Sequence, residues 1–167
     1  KAPSTDATAT TKPQISDTVA PEVKALPTQR VLQKYPNSEI PHRAFTAKIL
    51  PNKGVLLHGA YLEYYSNGKK QKAGAYEYGK KVGEWIFWSK DEVVRKKGTY
   101  AQDKQDGKWE KHRSDGTLEW IEMYSNGLKD GTWQAFAEDG QRPLWERNFK
   151  AGEPHGEWIN YFPNGKK

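Results

Sequence analysis

Large aromatic residues alternate with polar residues in a pattern that recurs every 24 or 25 positions. Each unit opens with a glycine, has an aromatic ring two positions later and another ring, or a histidine, three positions after that. The leading glycines are Gly59, Gly83, Gly107, Gly131 and Gly156, and the first rings after them are Tyr61, Trp85, Trp109, Trp133 and Trp158. A fixed period of this size indicates a repeat array in which each unit packs mainly on its neighbours.

The pattern predicts that each repeat unit is a β-hairpin. Its first strand ends near a turn pair, which is Asn67-Gly68, Asp115-Gly116, Asp139-Gly140 or Asn164-Gly165. These pairs tolerate the positive φ of tight hairpin turns. The second repeat has Asp91-Glu92 instead, so we expect a longer turn or another turn type there. Chained hairpins predict an all-β fold, an elongated single twisted antiparallel sheet with the five leading glycines and Trp85, Trp109, Trp133 and Trp158 as structural repeat positions.

Composition divides the chain into three parts. Residues 1–30 are rich in Ala, Thr and Pro and nearly lack large apolar residues, which predicts a disordered tether. Residues 31–57 repeat the pattern imperfectly, as a degenerate N-terminal capping repeat does. Residues 58–167 form the array of five units, the last of them partial. Such a tether favours an exported protein at the periplasm or cell surface, with or without attachment to a membrane, over a cytoplasmic one.

Positive charge is concentrated in the first part of the chain. Residues 1–105 hold 18 basic and 10 acidic side chains, whereas residues 106–167 hold 9 basic and 11 acidic ones. The cations of the first two repeats that could contact an anionic membrane or polysaccharide are Lys69, Lys70, Lys72, Arg95, Lys96 and Lys97. An ordinary solvated surface would show the same charges.

Aromatic residues outside the repeat consensus are candidates for binding another protein. They are Trp88, Trp120 and Trp145. Aromatic side chains are favoured anchors at interfaces, although a thin sheet also needs rings on both faces for its own stability. An open edge of the sheet would in addition allow self-association by strand addition.

Catalytic and cofactor chemistry finds little support in the sequence. The chain has no cysteine, no nucleophile elbow and no phosphate-binding glycine loop, so we predict a non-enzymatic protein without cofactor or metal. His58 and His155 precede leading glycines at a position that Asp106 and Asp130 fill in other repeats, which favours turn capping over metal ligation. Carboxylates throughout the array disfavour nucleic acid as a partner.

The spacing Gly-x-(Trp/Tyr)-x-x-ring, then a turn pair and Tyr-x-x-Gly-x-x-x-Gly, resembles MORN repeats, and more narrowly their bacterial variant, often described as antitoxin-like. The resemblance covers residues 58–167 well and 31–57 loosely. It implies stacked hairpins used for protein contact, scaffolding or membrane-lipid contact. Three functions follow in order: protein interaction or scaffolding at the cell envelope, lipid or polysaccharide binding, and toxin neutralisation as an antitoxin.

Overall fold

The computed structural model describes residues 19–52 and 54–167. Within these residues one short helix precedes twelve antiparallel strands of a single open sheet, which confirms the predicted all-β fold. The elements are α1 Pro21–Ala25, β1 Thr28–Lys34, β2 Pro41–Ile49, β3 Val55–Tyr64, β4 Lys70–Glu77, β5 Lys80–Trp88, β6 Val94–Ala101, β7 Lys104–His112, β8 Leu118–Ser125, β9 Leu128–Lys129, β10 Gly131–Phe136, β11 Pro143–Lys150 and β12 Glu153–Asn160. Strands that follow one another in the chain are neighbours in the sheet, with one exception. The short β9 pairs only with β8, so that β10 is the next strand after β8 in the sheet order.

The described structure begins within residues 1–30, the range predicted as a tether. Residues 1–18 lie outside the described residues, but α1 and the start of β1 fall inside the range assigned to the tether. Lys48 explains this order, because its ammonium donates hydrogen bonds to the backbone oxygens of Lys24, at 3.0 Å, and Leu26. Lys48 is only 5% exposed. One buried cation from β2 thus holds the segment against the sheet, which its own composition could not reveal.

The first, second and fifth repeats have the same bulge beside the leading glycine. In the second repeat, Ala73 pairs with Ile86 and Ala75 pairs with Val82, so three residues of β5 lie opposite Gly74 alone. All five leading glycines have positive φ, between +65° and +104°. Only glycine adopts this conformation without strain, which explains why the period begins with it.

One face of the sheet carries the aromatic core, and we call it the ladder face. Trp85, Trp109 and Trp133 lie there and are 0%, 1% and 9% exposed. Each indole N–H donates to the backbone oxygen ten residues earlier, at 3.2, 3.1 and 2.8 Å. Return-strand tyrosines meet the rings edge-on, as Tyr100 does with Trp109 at 4.9 Å between ring centroids. The core of this thin sheet therefore consists of aromatic rings that pack against the backbone of the sheet itself.

A second set of contacts joins successive repeats near the hairpin turns. A side chain of one unit donates a hydrogen bond to the carbonyl oxygen at the end of the next unit's first strand. The pairs are Tyr35 to Tyr64 at 2.7 Å, Tyr65 to Trp88 at 2.8 Å, Arg95 to His112 at 3.0 Å, and Arg113 to Phe136. Ser89, which occupies the position of Tyr65 one repeat later, is shorter than tyrosine, and Arg95 supplies the donor in that repeat.

The turn of the second repeat is of the common kind, and our expectation of another type or length is wrong. Its backbone N–H of Ser89 donates to Val93, just as Tyr65 donates to Lys69 one repeat earlier. Glu92 takes the place of the turn glycine with φ of +65°. A non-glycine residue in this conformation is uncommon and strained, so the flanking strands determine the turn here.

Candidate functional site

The structure brings together two of the three predicted aromatic anchors. Trp120 in β8 and Trp145 in β11 both project from the ladder face, and their rings meet edge-to-face with centroids 5.1 Å apart. Ala135 lies between them, because it pairs with Trp120 on one side and Trp145 on the other. Its small side chain leaves the space in which two indoles from non-adjacent strands make contact.

Arg147 extends this pair toward the last strand. Its guanidinium lies 5.1 Å from the ring centroid of Trp145 and 5.0 Å from that of Trp158. It also donates to the backbone oxygen of Ile159 and the side chain of Asn160, both at 2.7 Å. We call Trp120, Trp145, Arg147 and Trp158 the aromatic–arginine cluster. Cation–π contact and fixed hydrogen bonds hold the guanidinium in one orientation.

Trp158 has a different environment from the other repeat tryptophans. It is 54% exposed, whereas Trp85, Trp109 and Trp133 are 9% exposed or less. The sequence assigns all four the same structural role, and periodicity alone gives no sign of the difference. Arg147 was also missed as a site residue, since only the register places it between two indoles.

Trp88 is separated from this cluster. Along β5, Trp85 and Phe87 project from the ladder face. Because successive side chains of a strand point to opposite faces, Trp88 projects from the other face. There it is half-buried, and the ammonium of Lys70 lies 5.9 Å from its ring centroid. The three predicted aromatic anchors therefore do not form one site.

The predicted basic candidates do not form one positive surface either. Lys72 and Lys96 project from the ladder face, whereas Lys97 projects from the opposite one. Most of these cations already have carboxylate partners, namely Lys69 with Glu92 at 3.6 Å, Lys72 with Glu63 at 3.0 Å, Lys96 with Glu122 at 3.9 Å and Lys97 with Glu110 at 3.0 Å. Arg95 bonds a backbone carbonyl of the next repeat, and Lys70 lies near Trp88.

Glu63 is the most enclosed charge of the ladder face. It accepts hydrogen bonds from the Tyr61 hydroxyl and from Lys72, and Arg43 Nε lies 3.8 Å away. Burial opposes ionisation of Glu63, but these donors and positive charges outweigh it and lower the pKa of the carboxyl below its usual 4.5. Burial, and then the hydrogen bond to this carboxylate, raise the pKa of the Tyr61 hydroxyl. The network is a structural ion cluster held in its charged form.

Of the residues that precede leading glycines, His58, Asp106 and Asp130 cap turns. His58 Nδ1 accepts the backbone N–H of Tyr78 at 3.3 Å, and Asp130 accepts that of Ala151 at 3.1 Å. Over residues 19–52 and 54–167, no three or more His, Asp or Glu side chains gather as a metal site would require. Across the same ranges no helix has the length and apolar character needed to cross a bilayer.

Comparison with known families agrees with the repeat geometry. The family model described as MORN repeat variant matches residues 57–77 and 154–167, which lie in the first and last units of the array. The units between them continue the same register and ring contacts. These two segments are therefore similar to MORN repeats, which are in general non-enzymatic modules that commonly bind protein or membrane. A search of the curated proteins found no match to the chain.

Proposed function

We propose that this protein is a non-enzymatic repeat module that binds another protein through the ladder face and acts as an interaction or scaffolding unit at the cell envelope. The observation that carries the proposal is the aromatic–arginine cluster. Tryptophan and arginine are the residue types most enriched at the energetic centres of protein interfaces. Here they adjoin one another on one face, and hydrogen bonds to the backbone oxygens of Glu146 and Ile159 fix the orientation of the Arg147 guanidinium.

The partial exposure of the cluster supports a role in binding a partner in addition to stabilising the fold. Trp109 in the core is 1% exposed, but Trp120 and Trp145 are half-buried and Trp158 is 54% exposed. A partner that covered these rings would remove apolar area from water at sites that the fold has already ordered. Preordered rings lose little side-chain entropy on binding, which favours affinity.

Lipid or polysaccharide binding through the basic first repeats is the competing proposal. The carboxylate partners of Lys69, Lys72, Lys96 and Lys97 weaken it, because a paired lysine attracts an anionic surface less. An antitoxin-like role rests on the resemblance alone and stays a prediction. The envelope location is supported by the Ala, Thr and Pro-rich composition of residues 1–30.

Affinity capture with matched variants tests the proposal. The full chain is immobilised against native envelope and cytosolic extracts, and bound proteins, lipids and glycans are identified by mass spectrometry. The Trp120→Ala/Trp145→Ala double variant is compared with Trp88→Ala, which removes the same type of side chain from the opposite face. We expect one stoichiometric protein that the double variant loses and Trp88→Ala retains. Equal retention by both variants, or capture of lipid or glycan without protein, would refute the proposal.

A further inference from the structure

The face opposite the ladder has an apolar depression at the N-terminal end of the sheet. Its cavity volume is about 380 Å³, within the range of roughly 300–1,000 Å³ that ligand pockets occupy. Ala44, Ala60 and Ala73 form its floor and Leu62 one wall, and its lining is mostly apolar. We call it the alanine depression.

The depression exists because the first repeat has alanine where later repeats have larger side chains. One period after Ala60 the chain has Glu84, and the following equivalents are Lys108 and Thr132. One period after Ala73 it has Lys97, and the following equivalents are Ile121 and Glu146. Those side chains cover the sheet in later units. The same backbone positions therefore accept lysine and glutamate elsewhere in the array, which allows the depression to be filled by mutation.

Two cations border the depression. Arg30 and Lys70 both line it, and both are exposed. Within the described part of the chain neither forms an ion pair, in contrast to Lys69 and Lys72, which pair with carboxylates. Cations without a carboxylate on either side of an apolar floor suit an apolar ligand that has negative charges at its two ends.

The register gives the spacing of these charges. Arg30 lies on β1 and Lys70 on β4, three strands apart, and pairing through Thr46 and Tyr64 offsets them by four residues along the strands. With strands ~4.8 Å apart and ~3.3 Å per residue, the two backbone positions are about 19 Å apart. An extended peptide covers that distance in about six residues, and side chains at alternate positions between its ends would face the floor.

We propose that the alanine depression binds an extended segment of a partner protein that has two acidic residues six positions apart and apolar residues at alternate positions between them. This inference rests on the proposed function and adds a second contact area, with a stated chemistry, on the opposite face. A peptide fits better than an anionic membrane, because the exposed Glu84 projects from the same face on β5, the strand next to the depression, and would repel a continuous negative surface.

Alanine-methyl NMR of the full chain tests the proposal at the site itself. The probe is a synthetic peptide of the form Asp-x-Leu-x-Leu-x-Asp, and vesicles of anionic phospholipid serve as the comparison. We expect the peptide to shift the methyl signals of Ala44, Ala60 and Ala73 in a saturable manner. Replacing the leucines by serine, or the aspartates by lysine, should abolish the shifts. No shift with the peptide, or shifts with the vesicles alone, would overturn the proposal.

Matched variants test separately the contribution of the alanine floor and that of the two cations that border the depression. Ala73→Lys, which copies Lys97, should abolish binding with the sheet intact. Lys70→Glu combined with Arg30→Glu should weaken binding about tenfold or more, since two exposed ion pairs become repulsive contacts. Lys69→Glu, which makes the same charge change beside Glu92, should have little effect. Peptide affinity equal in Lys69→Glu and in the Lys70→Glu/Arg30→Glu double variant, or retained in Ala73→Lys, would refute the assigned site.

The ladder-face variant distinguishes the two proposals. Trp120→Ala/Trp145→Ala should leave the peptide-induced methyl shifts unchanged, because those residues lie on the other face in later repeats. If the double variant loses a captured protein while the peptide shifts no alanine methyl, the proposed function stands and this inference falls. If the peptide binds at the depression while the double variant keeps every captured protein, the inference stands and the ladder-face proposal falls.

Discussion

The indole ring of Trp85 lies directly over the backbone of Gly74. A Cβ atom on that glycine would be 2.3 Å from ring carbons Cδ2 and Cε2 of Trp85. The contact recurs one repeat later, where a Cβ on Gly98 would be 2.2 Å from Trp109. Neither glycine has positive φ, so close approach of the ring, and no special backbone conformation, accounts for glycine at these two positions.

Gly74→Ala should therefore destabilise the sheet by about 1–3 kcal/mol, the usual cost of overpacking a core. Urea unfolding followed by tryptophan fluorescence measures the change. In a Trp85→Leu background the smaller side chain leaves room for the added methyl group. Gly74→Ala should then lower the free energy of unfolding by less than it does in the wild type. An identical penalty in both backgrounds would show that the indole is not its cause.

The hydroxyl of Tyr65 should contribute to coupling between the first two repeats. Tyr65→Phe removes the donor to the Trp88 carbonyl, and a loss of about 0.5–1.5 kcal/mol is expected from one hydrogen bond. Tyr64→Phe, one position away, is the matched control, because in the described structure its side-chain hydroxyl makes no hydrogen bond. Equal loss of unfolding free energy in the two variants would contradict the inter-repeat role.

Burial predicts an order of cost for the tryptophans of the ladder face. Trp109→Ala should lose about 3–5 kcal/mol of stability, as for a fully buried ring. Trp145→Ala should lose about 1–2 kcal/mol, since it is half-buried, and Trp158→Ala less than about 1 kcal/mol. Thermal melting of the three variants checks the order. A loss for Trp145→Ala as large as that for Trp109→Ala would place Trp145 in the core and argue against its role as an anchor.

Acid should remove the stabilisation that Glu63 provides. Its folded-state pKa is lowered from 4.5, so its contribution is present above pH 4.5 and is lost as pH falls through the folded-state pKa. Wild type should exceed Glu63→Gln in stability at neutral pH, and the difference should disappear in acid. Glu84→Gln, which removes an exposed carboxylate, is the control. A difference between wild type and Glu63→Gln that persists in acid would show that proton linkage at Glu63 is not its source.

The fold followed from the sequence because its determinants are local and periodic. Leading glycines, ring positions and turn pairs recur in register, and the sheet order is the one that chained hairpins impose. The N-terminal boundary and the turn at Glu92 could not be predicted in this way, because each depends on contacts from elsewhere in the sheet. Lys48 orders a segment more than 20 positions away, as its bond to Leu26 shows.

The candidate site was only partly predictable, for a related reason. Trp120 and Trp145 stood out because they break the repeat consensus, and they do meet. Their contact depends on the small Ala135 between them, and Arg147 joins them only through the strand register. The alanine depression likewise results from residues on four neighbouring strands, whose shared face becomes apparent only once the pairing is known.

Paired photo-crosslinking tests most directly the claim that the ladder face binds a protein partner. Lys111 and Lys108 lie on the same strand and are both exposed, but Lys111 lies beside Trp120 on the ladder face, whereas Lys108 projects from the opposite face. A photoreactive amino acid is placed at each position in turn, and the full chain is irradiated in native extract. The account predicts one discrete protein adduct at position 111, absent at 108 and lost when Trp145→Ala is added. Equal adducts at both positions, or none at 111, would contradict it.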